Sequence, residues 1–216
     1  MGCGSGTGVS RSTRSNGGCS AVRLTGRVGA GKTTLLHALV GLLPRDAGEV
    51  LWNGSRVFDP SVFFVPPQAA FTPQIPRLFS DTLRENLVLG RDAEDPELRA
   101  AVHAAVLEHD VATFDCGLDT LVGARGVKLS GGQIQRTATA RMFLRTPELL
   151  VIDDVSSALD AATEAELWRR LFQRPGDVTC LAVSHSPIAI GRADQVLVLE
   201  DGRLVESPSP PDASLR

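Results

Sequence analysis

Near its start the chain reads Gly26-Arg27-Val28-Gly29-Ala30-Gly31-Lys32-Thr33, which fits the spacing GxxxxGK[ST]. Glycines at these positions let successive backbone N–H groups turn toward one concave space. A helix opening directly behind them adds its partial positive end, so phosphate oxygens can be held by main chain. Lys32 then supplies a point charge for β- and γ-phosphates and Thr33 a hydroxyl for magnesium. Thr34, one place further round the helix, is expected to cap it or to touch the α-phosphate. Such a site needs a second magnesium ligand on a rigid support, and Leu149-Leu150-Val151-Ile152-Asp153 is a short apolar run ending in a carboxylate. Many ordinary strands end the same way, so Asp153 gains its meaning from being paired with the glycine loop.

A second anion cradle lies at Leu129-Ser130-Gly131-Gly132-Gln133. Ser130, Gly131 and Gly132 open a helix, which offers N–H groups, a hydroxyl and a helix dipole. An ordinary N-cap would account for Ser130 alone but not for two cradles on one chain.

The elements that must position these residues follow from periodicity. From residue 21 onward, short apolar runs alternate with helix-length amphipathic segments, the pattern of an α/β fold with a mainly parallel sheet. Val22 to Thr25 is predicted as a strand, Lys32 to Leu43 as a helix stopped before Pro44, and Val50 to Trp52 as a strand closed by Asn53-Gly54. Leu149 to Asp153, Val178 to Val183 and Val196 to Leu199 are the later buried strands. Between Ser80 and Arg145 the pattern turns helical, at Asp81 to Leu89, Glu97 to Leu107 and Gly131 to Leu144. The expected organisation is a tail over 1–20, a sheet core over 21–79 and 146–206 with a helical lobe inserted over 80–145, and a Pro- and Ser-rich tail over 207–216.

Composition sets the outer bounds. The 216 residues suffice for one substantial domain, and a net charge of -3 gives no electrostatic case for a nucleic-acid partner. The apolar runs fall far short of the roughly 18 residues of a membrane helix. Cys3, Cys19, Cys116 and Cys180 show no metal-type or CxxC spacing, so reduced thiols are expected. The Gly-, Ser- and Arg-rich start lacks the apolar stretch of a signal peptide, and Gly6 stands where a myristoylation motif requires Ser or Thr.

The sequence around Ser130 resembles the LSGGQ signature of ABC ATPases, and it lies, as in that family, between the two magnesium-associated motifs. The resemblance covers residue 21 to about 206. It implies a P-loop ATPase using ATP and Mg²⁺, paired head to tail with a second ABC ATPase domain, so that Ser130, Gly131, Gly132 and Gln133 close the partner's nucleotide site. Gln74-Ile75-Pro76-Arg77-Leu78-Phe79-Ser80-Asp81-Thr82-Leu83-Arg84-Glu85-Asn86 is similar to the Q-loop segment of exporters. Gln74 is assigned there over Gln68, because only Gln74 precedes the Pro, Leu-Phe-Ser spacing. Ser157-Ala158-Leu159-Asp160 resembles the D-loop, with Asp160 reaching across the dimer, and His185 resembles the switch histidine at the γ-phosphate. The other histidines, His37, His103 and His109, fall in predicted helices and are expected to pack or face solvent. Val122-Gly123-Ala124-Arg125-Gly126 is similar to the loop through which exporter ATPases feel a membrane-spanning partner, although exporters usually carry Glu where Ala124 stands. The implied place is the cytoplasmic face of a membrane, as a peripheral subunit.

Two positions depart from the family pattern. Asp154 stands where the family usually has the glutamate that acts as general base, and its carboxylate is pulled back by about 1.5 Å, one C–C bond. A base must come within roughly 2.6–3.2 Å of its proton, so hydrolysis is expected to slow, and a module that dimerises on ATP with little hydrolysis is the alternative. A soluble ABC ATPase of DNA repair or translation is a third reading, opposed by the exporter-like segments. The second departure concerns adenine: no Phe, Trp or Tyr precedes Trp52, whereas the family has two further N-terminal strands and a stacking aromatic. The expectation is either sequence upstream or another adenine surface.

Overall fold

The computed structural model describes residues 19–174, 176–184 and 187–205. The tails expected over 1–20 and 207–216 lie outside this range except for Cys19 and Ser20, as does His185.

In chain order the elements are β1 (Ser20–Thr25), α1 (Lys32–Leu39), β2 (Val50–Trp52), β3 (Ser55–Val57), α2 (Pro60–Phe63), β4 (Ala69–Thr72), α3 (Leu83–Val88), α4 (Asp95–Ala104), α5 (Glu108–Thr113), α6 (Gly131–Leu144), β5 (Leu149–Asp153), α7 (Ala161–Phe172), β6 (Thr179–Val183), α8 (Pro187–Arg192), β7 (Gln195–Glu200) and β8 (Arg203–Val205). The main sheet runs β4-β5-β6-β1-β7-β8, parallel from β4 to β7, with β8 antiparallel at the edge. The expected α/β class with a mainly parallel sheet is what forms. The parallel order explains the apolar runs, because a strand covered on both faces has no solvent side to alternate toward.

Successive strand residues feed two cores. Leu150, Ile152, Cys180 and Ala182 face a cluster with Trp168, Leu167 and Leu171 of α7 and with residues of α3, α4 and α6. Leu24, Val151, Val183 and Leu199 face the other way, against Leu36 and Val40 at α1. β1 and β5 are separated by β6, so the loops leaving their C-terminal ends open onto the same crevice, where α/β sheets bind ligands.

Several boundaries differ from expectation for physical reasons. α1 stops at Leu39 and not at Leu43, because Gly41 turns left-handed (φ 78°) and the N–H groups of Leu42 and Leu43 both donate to the His37 carbonyl. A Cβ at Gly41 would fall 2.2 Å from the Ser61 backbone nitrogen, so the turn also lets α2 approach. The Asn53-Gly54 turn, with φ of 49° and 80°, closes β2 onto a partner, β3, that periodicity did not reveal. The helix expected over Glu97 to Leu107 runs from Asp95 to Ala104 and stops short of Val106, which takes φ 57°, and α5 begins only at Glu108. β4 and α7 carry no expectation above. β4 is only four residues long, and two of them are Ala. Cys19, Cys116 and Cys180 are in no disulfide among the described residues, and the first and last are buried. No helix among the described residues is long and apolar enough to cross a membrane.

Candidate functional site

β1 ends at Thr25, and the chain then turns over the C-terminal edge of the sheet through Gly26, Gly29 and Gly31, whose φ values are 147°, 83° and 97°. At Gly26 the need for glycine is also steric, since a Cβ would lie 2.1 Å from the Leu199 carbonyl oxygen at the end of β7. α1 follows at Lys32 and turns its N-terminal N–H groups toward the loop. Lys32 folds back, its Nζ donating to the carbonyls of Gly26 and Arg27 at 2.9 Å each. Its ammonium is thus held inside the curve of the loop. Val28 at the loop tip is 97% exposed.

Thr33 and Asp153 lie 120 residues apart, yet Thr33 Oγ1 donates to Asp153 Oδ2 at 2.8 Å. Octahedral magnesium holds its oxygens at 2.0–2.1 Å, which places neighbouring ligands about 2.9 Å apart, so the two oxygens already sit at the spacing of one edge of such a shell. Among the described residues no cluster of three His, Cys, Asp or Glu could hold a metal by itself. Two protein oxygens with the rest supplied by water and phosphate is the donor set magnesium takes in nucleotide sites. The residues present therefore fit Mg²⁺ with a nucleotide.

Val28, Gly29, Gly31, Lys32, Thr33, Thr34, Gln74, Asp153, Asp154 and Val183 enclose a cavity of about 380 Å³. Asp154 takes φ 48°, left-handed for a residue with a side chain, and its N–H donates to the Val183 carbonyl at 3.0 Å. Its carboxylate accepts from Gln74 Nε2 at 3.4 Å and from Ser156 Oγ at 3.2 Å. Gln68 instead lines a shallow depression beside Phe58 and Val62. No aromatic ring contributes to the described lining of this cavity.

Ser130 to Gln133 lie outside that lining. Ser130 is the N-cap of α6: its Oγ accepts from Gln133 N, and Gln133 Oε1 accepts from Ser130 N at 2.9 Å, a reciprocal capping box. Gln133 Nε2 donates to Asp110, which also pairs with Arg136 at 2.5 Å, fastening the start of α6 to α5. Gly131 and Gly132 are helical, and the small size of Gly132 admits the loop after β5: a Cβ there would lie 2.9 Å from the Ala158 carbonyl oxygen. Asp160 is the N-cap of α7, accepting from the N–H groups of Thr163 and Ala162 and from the Thr163 hydroxyl. The bonds from Thr163 chiefly hold its carboxyl below the ordinary range. Asp160 is thus locally engaged within this chain.

The exporter-like segments meet each other. Ser80 Oγ accepts from Ala124 N at 3.2 Å, Val122 N donates to the Asp81 carbonyl, and Leu83 N donates to the Thr120 carbonyl. Asn86, fully buried, clamps the Phe79 backbone through both ends of its amide. Residue type alone gives no individual role to Gln135 or Ser156, and Asn86 is legible only as the last residue of the Q-loop-like segment. The first belongs to the run after the signature, where only its position, not its contacts, was legible.

A family model described as ABC transporter matches residues 18–157. The chain is 38% identical over 188 residues to an ATP-dependent lipid A-core flippase of Burkholderia orbicola, covering 87% of this chain and 32% of that protein. It is 35% identical over 186 residues to a Bacillus subtilis protein named "Probable multidrug resistance ABC transporter ATP-binding/permease protein", covering 86% and 32%. Among solved structures, a bacterial Atm1-family ABC exporter with ATP bound aligns with a TM-score of 0.79 at 34% identity, over 87% of this chain and 33% of that one. The chain spans about a third of the length of the curated relatives it matches.

Proposed function

We propose, from the premise that this chain belongs to the ABC transporter family, that it binds and hydrolyses ATP to power transport across a membrane, in the export direction. The observation that carries this reading is the meeting of Thr33 with Asp153 across 120 residues of chain, on the wall of a cavity that Lys32, Gln74 and Asp154 share. No strand-end turn would need that convergence. Relatives named as a flippase and as an ATP-binding/permease protein support transport as the output.

In this reading the backbone of Gly26, Arg27, Val28, Gly29, Ala30 and Gly31 cradles the phosphates, Lys32 neutralises their charge, and Thr34 serves the α-phosphate. Thr33, Asp153 and Gln74 hold Mg²⁺, which supplies positive charge to the phosphate oxygens when bound. Asp154 orients the attacking water and accepts its proton, Gln74 steadies the Asp154 carboxylate, and His185, outside the described residues, acts at the γ-phosphate. Ser130, Gly131, Gly132 and Gln133, with Asp160, face the nucleotide of a second ABC ATPase domain. A membrane-spanning subunit or domain completes the transporter at the cytoplasmic face, reached through the segments around Ser80 and Ala124. Residues 21–79 and 146–206 form the nucleotide-holding core, and 80–145 the lobe that carries the signature.

The test is Mg²⁺-dependent single-turnover hydrolysis by the full chain. Hydrolysis that falls on removing Mg²⁺ and in Asp153→Asn is expected. Hydrolysis indifferent to both, or ATP-driven pairing with no hydrolysis at all, would refute an ATPase working through this cavity.

A further inference from the structure

Gln135 is the fifth residue of α6 and only 4% exposed, and its amide does something no backbone periodicity requires. Nε2 donates to the carbonyl of Gln74 at 2.8 Å and to the hydroxyl of Ser157 at 3.3 Å. Ser157 Oγ in turn donates to the carbonyl of Asp154 at 3.3 Å, and Gln74 Nε2 donates to the Asp154 carboxylate at 3.4 Å. The four residues close a ring, Gln135 to Gln74 to Asp154 to Ser157 and back. Its one short link anchors Gln135 to Gln74, and the other three are long enough to adjust.

The other end of the same amide sharpens the point. Gln135 Oε1 is buried with no hydrogen-bond partner. A leucine would fill the space without stranding an acceptor, so the side chain is a costly choice for packing and a sensible one only for its donor hydrogens. The ring also has a mechanical neighbour. α6 starts at the signature, is tied there by its capping box, and at Gly132 bears on the Ala158 carbonyl of the loop that carries Asp154 and Ser157. One rigid helix thus presses on that loop at Ala158 and grips it at Ser157, while holding Gln74 with the same side chain.

We infer that Gln135 is a positioning residue that fixes where Gln74 and Asp154 stand, so that a shift at the signature end of α6 is felt in this chain's own phosphate cavity. This rests on the reading that Gln74 and Asp154 act at the γ-phosphate. Without Gln135 the two residues lose their common anchor, and a short carboxylate such as Asp154 has little reach with which to recover its place.

The experiment uses Gln135→Leu, which keeps the volume and removes the donors, and Gln135→Glu, which keeps the shape and loses Nε2, both in the full chain. Without nucleotide, amide exchange over residues 73–78 and 154–158 is expected to quicken by about tenfold in both variants while the strand cores stay protected. Turnover is expected to fall by about tenfold in kcat with KM for ATP within about twofold, and to fall far less when Gln74→Ala is already present. Unchanged exchange in a folded variant overturns the inference. So does an equal loss of kcat in the presence and absence of Gln74, or a loss tracking a lowered melting temperature with KM raised, since each marks mere structural support. Absent turnover in the unmodified chain would refute the proposed function instead, and the exchange measurement would still decide the role of Gln135.

Discussion

The phosphate loop and the signature turn use the same ingredients, glycines and a hydroxyl ahead of a helix, but their glycines answer different demands. In the loop, Gly26, Gly29 and Gly31 take positive φ, so they are there for backbone shape. In the signature, Gly131 and Gly132 are helical, and Gly132 is there for the room it leaves the Ala158 carbonyl. The hydroxyls differ as well. Thr33 reaches across the chain to Asp153, whereas Ser130 spends its oxygen on its own helix. One site is completed by distant residues of the same chain, and the other presents a capped helix end to whatever meets it. Two glycine-and-hydroxyl turns can therefore look alike in sequence while only one is met by distant residues of the same chain.

The sharpest way to break this contrast lies at the assembled site. Asp154→Asn is expected to lower ATP turnover by about 10²- to 10⁴-fold, and Asp154→Glu to raise it above the unmodified chain, both read as single-turnover rates. Unchanged turnover in the first variant would remove Asp154 from the chemistry. Next in size, Lys32→Ala should weaken MgATP binding by roughly 10- to 100-fold in titration calorimetry, the worth of a charge-assisted hydrogen bond. A smaller effect separates the two signature glycines. Gly132→Ala drives a Cβ against the Ala158 carbonyl and should cost about 1–3 kcal/mol in urea unfolding. Gly131→Ala meets only the Ala158 methyl at 3.4 Å and should be neutral or gain up to about 1 kcal/mol from helix propensity.

The smallest effect lies outside both regions. Arg169 and then Arg170 hold the Glu166 carboxyl down to about 2 from its ordinary 4.5. A lowered pKa contributes stability that is present above about pH 4.5 and is lost as pH falls through about 2. Glu166→Gln should therefore lower the melting temperature slightly at pH 7, and the difference should vanish toward pH 2.

What could be read ahead of the structure follows from how local each signal is. The glycine loop, the apolar strand ending in Asp153 and the helix opening at Gly131 are set by neighbours in sequence, and they form where they were expected. β4 was not legible, because Ala69-Ala70-Phe71-Thr72 owes its extended form to pairing with β5 and not to its own propensity. The end of α1 at Leu39 was missed because Pro44 is a louder signal than Gly41, although Gly41 is what turns the chain. Asp160 was read for what it could reach across a dimer. Its bonds to Ala162 and Thr163 are those of an N-cap, a role its position before Ala161 already permitted. The hydrogen-bond ring through Gln135 joins residues 74, 135, 154 and 157, and no spacing rule connects them.

We propose that the cavity at Lys32 and the signature at Ser130 belong to opposite halves of a shared ATP site. Sedimentation velocity with and without MgATP decides between shared and separate sites. The mass is expected to move from one chain to two on adding MgATP, or to a pair with the cognate second ATPase domain. Ser130→Glu is expected to abolish that pairing while the single chain binds ATP as before. Pairing that persists unchanged in Ser130→Glu, or a single-chain mass at saturating MgATP with the cognate domain present, would contradict it.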